Sequence, residues 1–346
     1  MRQTLVFWKF VVVVFGLFAI QAHAFNDAPQ VETGDAEAWL KKIQSSAQKL
    51  NYSGIFVYQQ GSQVRTSRIT HMLQGRNEVE KLEILDGKPR EYIRNNEDII
   101  YYVPESKTLL LERRVTQDVF PSILVAPPSE LADSYSIRKG EMGRVAGFDC
   151  QAVVLEPKDN LRYGYKLWAE KMSGLLLRAQ TLNERGAVVE QIAFTQIEIG
   201  NIDRARVKTS FGNTQGWHVE NTVMSQGSLS GWSVKIVPPG FKKIHEVMRL
   251  VSDAHGLNSG SVNSHTSHPA QREVAQIVFS DGMAAISVFI EPGTQSRTEG
   301  SMQQGAMNIV GKRQGDFWLT IVGEVPAAAI RQVANSVEFK SQNLDK

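Results

Sequence analysis

Histidine is the residue type in this chain with the clearest capacity for metal chemistry, because two imidazoles a few residues apart can share one ion. Four of the seven histidines fall in one stretch: His245, His255, His265 and His268. Only His265 and His268 have a metal-ligand spacing, and they lie in a run of Ser, Asn and Thr. We interpret this stretch as a solvated loop, so the sequence predicts no metal site and no cofactor.

Nucleophilic and acid–base catalysis have no visible signature in the chain. No GxSxG, HExxH, CxxC, P-loop or EF-hand pattern is present. A pair of catalytic carboxylates leaves no spacing signature, so the sequence neither predicts nor excludes one. The single cysteine, Cys150, heads an apolar run with nothing near it to activate a thiolate, and we expect a small buried hydrophobe. The sequence therefore gives no positive sign of an enzyme.

Aromatic and basic residues interleave between Arg162 and Trp168, in the run RYGYKLW. Side chains alternate across a strand, so Tyr163 and Tyr165 share one face. Arg162, Lys166 and Trp168 share the other face. Aromatic residues and arginine are favoured interface anchors. Two interpretations follow: a partner-binding face, or one core face with an ordinary surface behind it.

This run lies in the most regular part of the chain, residues 144–182. Three strand-like stretches occur there, at Gln151–Leu155, Tyr163–Trp168 and Leu175–Leu182. Pro-Lys-Asp-Asn at 157–160 and Met-Ser-Gly before the last stretch are turn signals, because proline cannot donate to a ladder and Asp and Asn bond their own backbone. The pattern predicts an antiparallel meander.

Residues 25–205 are predicted to form one domain. Asp35–Leu50 has apolar residues at three- and four-residue spacing and predicts a helix, with Asp35 as its N-cap. Strand-like runs then recur about every eight to twelve residues with hairpin turns, which predicts one antiparallel sheet of about eleven strands. Because one helix cannot cover both faces of so wide a sheet, the sheet should curl around an apolar cavity.

One segment of this domain, Val115–Leu131, interrupts the strand pattern with an apolar middle and a Pro-Pro pair. We interpret it as a short helix or ordered loop that crosses the sheet. A plug or lid for the cavity and a plain core-covering segment are equally compatible with its composition.

A change of composition marks the end of the first domain. Residues 206–231 are rich in Gly, Ser, Thr, Asn and Gln and are predicted to be a linker, mobile at least in part. Residues 232–340 contain further hairpin signals and one helix, Pro326–Ser336, with proline at its first turn. They predict a second, smaller α+β domain.

The first 24 residues are predicted to be a signal peptide. Arg2 and Lys9 are followed by an apolar core, too short to span a membrane, and by the small-x-small site Ala22-His23-Ala24. Removing these residues deletes two of the charges that give a net +2, so the remaining chain is neutral. A neutral, exported chain is not expected to bind nucleic acid.

Many short segments together resemble a known family, the periplasmic negative regulators of sigma-E factor called RseB/MucB. The resemblance extends over nearly the whole chain after the signal peptide, in order, and is weakest in the linker and in Asn258–Pro269. The segments are Leu50–Tyr58, Ile69–His71, Leu85–Glu91, Arg144–Gly147, Pro157–Asp159, Arg162–Tyr165, Leu175–Leu177, Pro239–Phe241, Phe279–Gly282 and Ser287–Pro292.

The resemblance implies a fold and a function. The fold is α+β, with an N-terminal half-open antiparallel β-barrel with helices, similar to the lipoprotein carriers, and a smaller C-terminal α+β domain. Members of the family bind the periplasmic domain of a membrane-spanning anti-sigma factor and shield it from the site-1 protease. Lipopolysaccharide or the acyl chains of mislocalised lipoproteins release the regulator. A homo-oligomer is left open.

Two sets of candidate residues follow from the predicted cavity and interface. Candidates for the lipid cavity are Phe56, Tyr58, Tyr101, Phe120, Leu124 and Tyr165. Candidates for partner binding are Arg162, Lys166, Trp168, Trp232 and Phe241. The competing hypotheses are a periplasmic lipid or lipoprotein carrier without a signalling role, which would not need a second domain, and a cell-envelope hydrolase.

Overall fold

A computed structural model describes most of the chain beyond its first 32 residues. The described residues are 33–113, 127–222, 224–226, 231–252, 271–293 and 297–340. The predicted signal peptide lies outside them, as do most of Val115–Leu131 and the histidine-containing loop from 253 to 270.

Strands dominate the described part of the chain. The helices there are α1 (Thr33–Lys49), α2 (Pro128–Ser134) and α3 (Ala327–Asn335). None of them is long and apolar enough to cross a membrane. The strands are β1 (Tyr52–Gln60), β2 (Gln63–Gln74), β3 (Asn77–Ile84), β4 (Arg90–Asn95), β5 (Asp98–Val103), β6 (Thr108–Arg113), β7 (Tyr135–Val145), β8 (Phe148–Pro157), β9 (Gly164–Glu170), β10 (Leu176–Leu182), β11 (Val188–Ile199), β12 (His218–Thr222), β13 (Met224–Gln226), β14 (Trp232–Val234), β15 (Lys242–Ser252), β16 (Gln271–Ser280), β17 (Ala285–Pro292), β18 (Gly300–Gln304), β19 (Met307–Gln314), β20 (Phe317–Gly323) and β21 (Val337–Phe339).

The first twelve strands form one large sheet in the order β12-β6-β5-β4-β3-β2-β1-β11-β10-β9-β8-β7. Neighbouring strands are antiparallel except β12, which runs parallel to β6. Strands β7 and β12 are edges of this sheet, so it curves without closing. We call this sheet, with α1 and α2, the first lobe.

Two large apolar clusters lie on the first lobe, besides a small one around Met72 and Ile202. Helices α1 and α2 cover one of them, which includes Leu40, Leu131 and Leu167, all inaccessible to solvent. The other joins β1 and β2 to the far ends of β8 and β10, through residues such as Phe56 and Cys150. Cys150 is fully buried, and burial raises the pKa of its thiol to about 11.

The second lobe is a smaller sheet in the order β13-β15-β16-β17-β20-β19-β18, with α3 packed on it. Ala329, Ile330 and Val333 of α3 lie against Ile286 and Ile321 of the sheet, and all five side chains are fully buried. The two-stranded pair β14 and β21 completes this lobe.

The structure confirms the predicted fold class: a large open antiparallel sheet with helices, followed by a smaller α+β unit. Strands β1 to β11 fall between residues 52 and 199, where about eleven were predicted. The predicted N-cap is wrong, because α1 begins at Thr33 and Asp35 lies in its first turn, where its carboxylate is 2.6 Å from Lys139 Nζ.

The stretch predicted as a linker, residues 206–231, contains strands of both sheets. Strand β12 extends the first sheet beside β6, and β13 pairs with β15 of the second. Upstream of β12, a 3₁₀ turn at Arg204–Val207 packs against β2 and β3. The polar composition of this stretch did not predict these strands. They are defined by pairing partners that lie far away in the sequence. The domain boundaries and the predicted mobility remain predictions.

Candidate functional site at the junction of the two lobes

Arg162 lies at the turn between β8 and β9, where the Pro-Lys-Asp-Asn sequence ends one strand and begins the next. Asp159 shapes this turn, because its Oδ1 accepts a hydrogen bond from the backbone N–H of Leu161 at 2.9 Å. The same carboxylate contacts Arg162 Nη2 at 3.0 Å through Oδ2. This contact orients the guanidinium away from the β8–β9 turn and toward the second lobe.

The guanidinium of Arg162 crosses to the second lobe and is fully buried there. Its Nη1 donates to Asp281 Oδ2 at 2.8 Å, and its Nη2 donates to the carbonyl oxygen of Pro239. It lies between two rings, with its central carbon 5.5 Å from the centre of Tyr135 and 5.6 Å from that of Phe241. Burial acts to lower the pKa of Arg162, but Asp159 and Asp281 outweigh it and raise the pKa.

Asp281 belongs to the Asp-Gly turn between β16 and β17, and its side chain is 1 % exposed. Oδ1 accepts the backbone N–H groups of Met283 and Ala284, both at 2.9 Å. Oδ2 accepts the hydroxyl of Tyr135 at 3.0 Å in addition to Arg162. Each carboxylate oxygen therefore has two donors, as a buried charge requires. We call Arg162, Asp281, Tyr135, Phe241 and Pro239 the clasp.

Further contacts hold the two lobes together beside the clasp. Asn308 of β19 donates from Nδ2 to the Tyr163 hydroxyl at 3.2 Å. Glu190 of β11 accepts Gln60 Nε2 at 3.3 Å and lies beside the backbone of Ala306 in the second lobe. Burial raises the pKa of Glu190, although its polar neighbours Tyr58, Gln60 and Ala306 act to lower it.

An open pocket of about 1010 Å³ adjoins the clasp. Its walls are the β8–β9 turn, the β10–β11 hairpin at residues 183–186 and, from the second lobe, Pro326 and Ala327. Charges of both signs line it, and many are already paired, for example Lys166 with Glu141 at 2.5 Å. The pocket offers a mixed polar and apolar surface to a ligand that contacts both lobes.

The structure separates the lipid-cavity candidates from one another. Phe56 is buried edge-to-face against Phe194, with ring centres 5.9 Å apart. Tyr165 is buried beneath α1, and its hydroxyl has no hydrogen-bond partner among the described residues. Tyr58 is partly buried near the lobe junction. Phe120 and Leu124 lie outside the described residues.

Tyr101 belongs to an apolar row across β2 to β6. The row follows the strand register from Ile69 through Leu82, Tyr92 and Tyr101 to Leu110. Ile69 is fully buried, whereas the other four side chains are only partly buried. The Tyr92 and Tyr101 rings are 5.3 Å apart. This half of the sheet thus offers a continuous, partly accessible apolar surface.

The structure places three partner-binding candidates away from the clasp. Trp168 is 8 % exposed, with Lys166 Nζ 4.9 Å from its ring centre. Trp232 packs against Phe317 and Phe339 inside the second lobe, at 5.1 and 4.9 Å between ring centres. Arg162 and Phe241 belong to the clasp. Whether any of the five contacts a partner remains a prediction.

Sequence reasoning missed the partners of Arg162. The sequence placed Asp281 in the family-like segment Phe279–Gly282, and it did not single out Tyr135. No local pattern connects Arg162 with Asp281, which is 119 residues away. The one signal available was the lone acidic residue in the Phe-Ser-Asp-Gly segment, which resembles a family motif.

Two family models match the chain in succession. The model of the MucB/RseB N-terminal domain matches residues 35–211, and that of the MucB/RseB C-terminal domain matches residues 226–338. The two matches together extend over most of the chain.

Individual relatives agree with these matches. The Sigma factor AlgU regulatory protein MucB of Pseudomonas aeruginosa is 28 % identical over 321 residues, covering 89 % of this chain and 92 % of that protein. The Sigma-E factor regulatory protein RseB of Haemophilus influenzae is 24 % identical, covering 88 % of this chain and 91 % of that protein. The solved structure of MucB in complex with MucA(peri) has a TM-score of 0.65 at 26 % identity and covers 89 % of this chain and all of that chain.

Proposed function

Because this chain belongs to the MucB/RseB family, whose characterised members are named as regulators of sigma factors, we propose that it is a periplasmic negative regulator of the sigma-E envelope stress response. In this role it binds the periplasmic domain of a membrane-spanning anti-sigma factor. Bound there, it shields the anti-sigma factor from site-1 proteolysis.

The observation that supports this proposal most strongly is the pocket at the lobe junction. It is walled by both lobes, lined by charges of both signs, and adjoins the clasp, whose ion pair Arg162–Asp281 is buried. Polar and aromatic surfaces of this kind suit a protein segment better than a small apolar ligand. A solved relative, MucB, is described in complex with MucA(peri), which agrees with a protein partner.

Release by a lipid requires that the lipid favour the state that does not bind the anti-sigma factor. The partly accessible apolar row from Leu82 to Leu110 is a surface on which acyl chains of lipopolysaccharide or lipoproteins can lie. It is distant in sequence from the clasp and belongs to the first lobe alone. We expect acyl chains bound there to weaken the partner site at the junction.

A lipid carrier without a signalling role is the second candidate function. The same apolar row supports it, but such a carrier has no need for a buried clasp to a second lobe. Binding of the anti-sigma domain separates the two hypotheses.

The test is calorimetric titration of the chain with the purified periplasmic domain of its anti-sigma factor. We expect Arg185→Glu, a charge reversal on the exposed hairpin that lines the pocket, to weaken binding by about tenfold, the equivalent of about 1.4 kcal/mol. Arg76→Glu is the matched control, because it reverses an exposed arginine in another hairpin of the first sheet.

Each result bears on one part of the proposal. Lack of binding by the unaltered chain would contradict the regulatory function. If Arg185→Glu and Arg76→Glu bind the anti-sigma domain with the same affinity, the partner site does not lie at the pocket. Unchanged affinity after addition of lipopolysaccharide would contradict the release mechanism.

A further inference from the structure

Sheet edges expose unpaired backbone groups, and proteins usually blunt them with charges, bulges or short strands. In the two large sheets, the edges β7 and β12 are blunted in this way. Strand β7 has a bulge between Lys139 and Met142. Strand β12 carries His218 and Glu220, whose side chains lie 3.6 Å apart.

Strand β18, at an edge of the second sheet, has none of these features. It reads Gly-Ser-Met-Gln-Gln, without charge or proline, and all five residues are exposed. Its register with β19 runs unbroken from Gly300 opposite Gly311 to Gln304 opposite Met307. Met302 in the middle is 58 % exposed. No other described strand pairs with its outer side.

The β18–β19 hairpin is held rigidly against the first lobe. Gly305 at its tip has a φ of 58° and lies so close to the Gln60 side chain that a Cβ would collide with it. Gln304 Nε2 donates to Gln63 Oε1 at 3.0 Å. Next to them, the backbone of Ala306 lies beside the Glu190 side chain of the first lobe. The open edge is therefore fixed in orientation before anything binds to it.

We propose that β18 is a strand-addition site, on which an extended segment of the protein partner pairs through its backbone. This inference rests on the proposed function, because it takes that partner to be the periplasmic domain of the anti-sigma factor. Main-chain hydrogen bonds provide the affinity in this mode of recognition. The uncharged edge and exposed Met302 select an uncharged segment with an apolar side chain opposite Met302.

The length of β18 argues against a second copy of this chain as the occupant. Five residues extend about 17 Å, whereas a stable dimer buries about 800 Å² on each partner. A partner segment can gain the remaining area by continuing along the first lobe, which the hairpin tip touches. Its binding is then sensitive to the arrangement of the two lobes.

Hydrogen exchange of the full chain, with and without the purified anti-sigma domain, tests the proposal directly. We expect the amides of Gly300–Gln304 to exchange at least tenfold more slowly in the complex. The amides of β7, an edge strand of the first sheet, provide the internal reference, and their exchange should not slow in this way.

Proline substitutions at Ser301 and Met302 supply the second test. N–H groups of successive residues point to opposite sides of a strand, so one of the two variants removes only an outward donor and leaves the ladder with β19 intact. The variant that keeps the melting temperature of the unaltered chain should bind the anti-sigma domain at least tenfold more weakly. Met302→Lys should also weaken binding, whereas Met142→Lys, at an equally exposed methionine of β7, should not.

The outcomes distinguish this inference from the proposed function. Normal affinity in both proline variants, without slowed exchange in β18, would overturn strand addition and leave the regulatory function standing. If the β18 amides become more protected as the concentration of this chain alone is raised, the occupant is a second copy. That result would also overturn the inference. Failure of the unaltered chain to bind the anti-sigma domain would overturn both.

Discussion

Four ionisable side chains, His71, Glu78, Glu80 and Arg94, form a network in the first sheet. Arg94 Nη2 lies 2.5 Å from Glu78 Oε1 and 3.4 Å from Glu80 Oε2. His71 is fully buried, with Nε2 3.1 Å from Glu78 and Nδ1 2.7 Å from the carbonyl oxygen of Leu50. Both ring nitrogens of His71 therefore lie within hydrogen-bond distance of an oxygen atom.

Glu78 makes the stability of the chain depend on acid pH. The hydrogen bond from His71, and then that from Arg94, lower its pKa from 4.5 to about 2 against the opposing effect of burial. The folded chain therefore binds this proton less tightly than the unfolded chain does. The stabilisation is complete above about pH 4.5 and is lost as the pH falls toward 2. We expect Glu78→Gln to lower the free energy of unfolding by about 1–3 kcal/mol at pH 7.

Urea unfolding of the variant and the unaltered chain at pH 7, 4 and 2.5 measures this effect. The difference between the two chains should shrink as the pH falls. Glu198→Gln is the control, since Glu198 pairs with Arg206 at 2.9 Å on the surface, where both side chains are about half exposed. Its change should stay below about 1 kcal/mol. A difference for Glu78→Gln that does not vary with pH would contradict the assignment.

Among the elements, the segment 202–211 contains only a 3₁₀ turn, yet its side chains contact the first sheet closely. We call it the strap. Ile202 and Val207 are buried against Met72 and Val79 of the first sheet. Downstream of them, Glu91 of β4 accepts hydrogen bonds from Thr209 and from the backbone and hydroxyl of Ser210. The strap therefore covers the sheet on the path that leads toward the second lobe.

Glu91 is the residue on which we expect attachment of the strap to depend. Its side chain is 4 % exposed and pairs with Lys81 Nζ at 3.2 Å. Burial acts to raise its pKa, but the hydrogen bonds from Ser210 and Thr209 outweigh this and lower it. Glu91→Gln weakens the hydrogen bonds from the strap, while Lys81 keeps its second ion pair, with Glu83 at 3.2 Å. The variant should therefore lower the free energy of unfolding by about 1–3 kcal/mol. Hydrogen exchange in the strap should accelerate at the same time.

Glu105→Gln is the matched control for this prediction. Glu105 pairs with Lys88 and Arg90 at 3.4 and 3.7 Å, and both of these cations are mostly exposed. It should change stability by less than about 1 kcal/mol and leave exchange in the strap unaltered. Equal effects of the two variants would show that Glu91 does not hold the strap.

At the scale of the whole molecule, the clasp couples the two lobes. Arg162→Met leaves the Asp281 carboxylate buried without its cation, which costs about 3–5 kcal/mol. We expect the unaltered chain to unfold in one calorimetric transition, and the variant in two, because each lobe has its own apolar core.

Two variants support the interpretation of this experiment. Arg162→Met combined with Asp281→Asn removes the unpaired charge and should recover part of the lost stability. Lys242→Met breaks an exposed ion pair across the same junction, Lys242 to Glu130 at 2.6 Å, and should have little effect. A single transition at an unchanged temperature in Arg162→Met would show that the clasp does not couple the lobes.

The sequence by itself determined the local structure of this protein. Alternating apolar residues and turn signals such as Asp281-Gly282 specify strands and hairpins, because both depend on residues close together in the chain. Helices α1 and α3 were predicted for the same reason, from the three- and four-residue spacing of α1 and the N-terminal proline of α3. The ordered set of family segments indicated the family that the domain models confirm.

Only the tertiary structure decided which of these elements pair and pack with one another. Strands β12, β13, β18 and β21 are short, and pairing partners rather than composition define them. Arg162 was a candidate for partner binding, and in this structure its charge is buried against Asp281, 119 residues away. A long-range ion pair leaves no periodic trace in a sequence, since it depends on where two folded lobes meet.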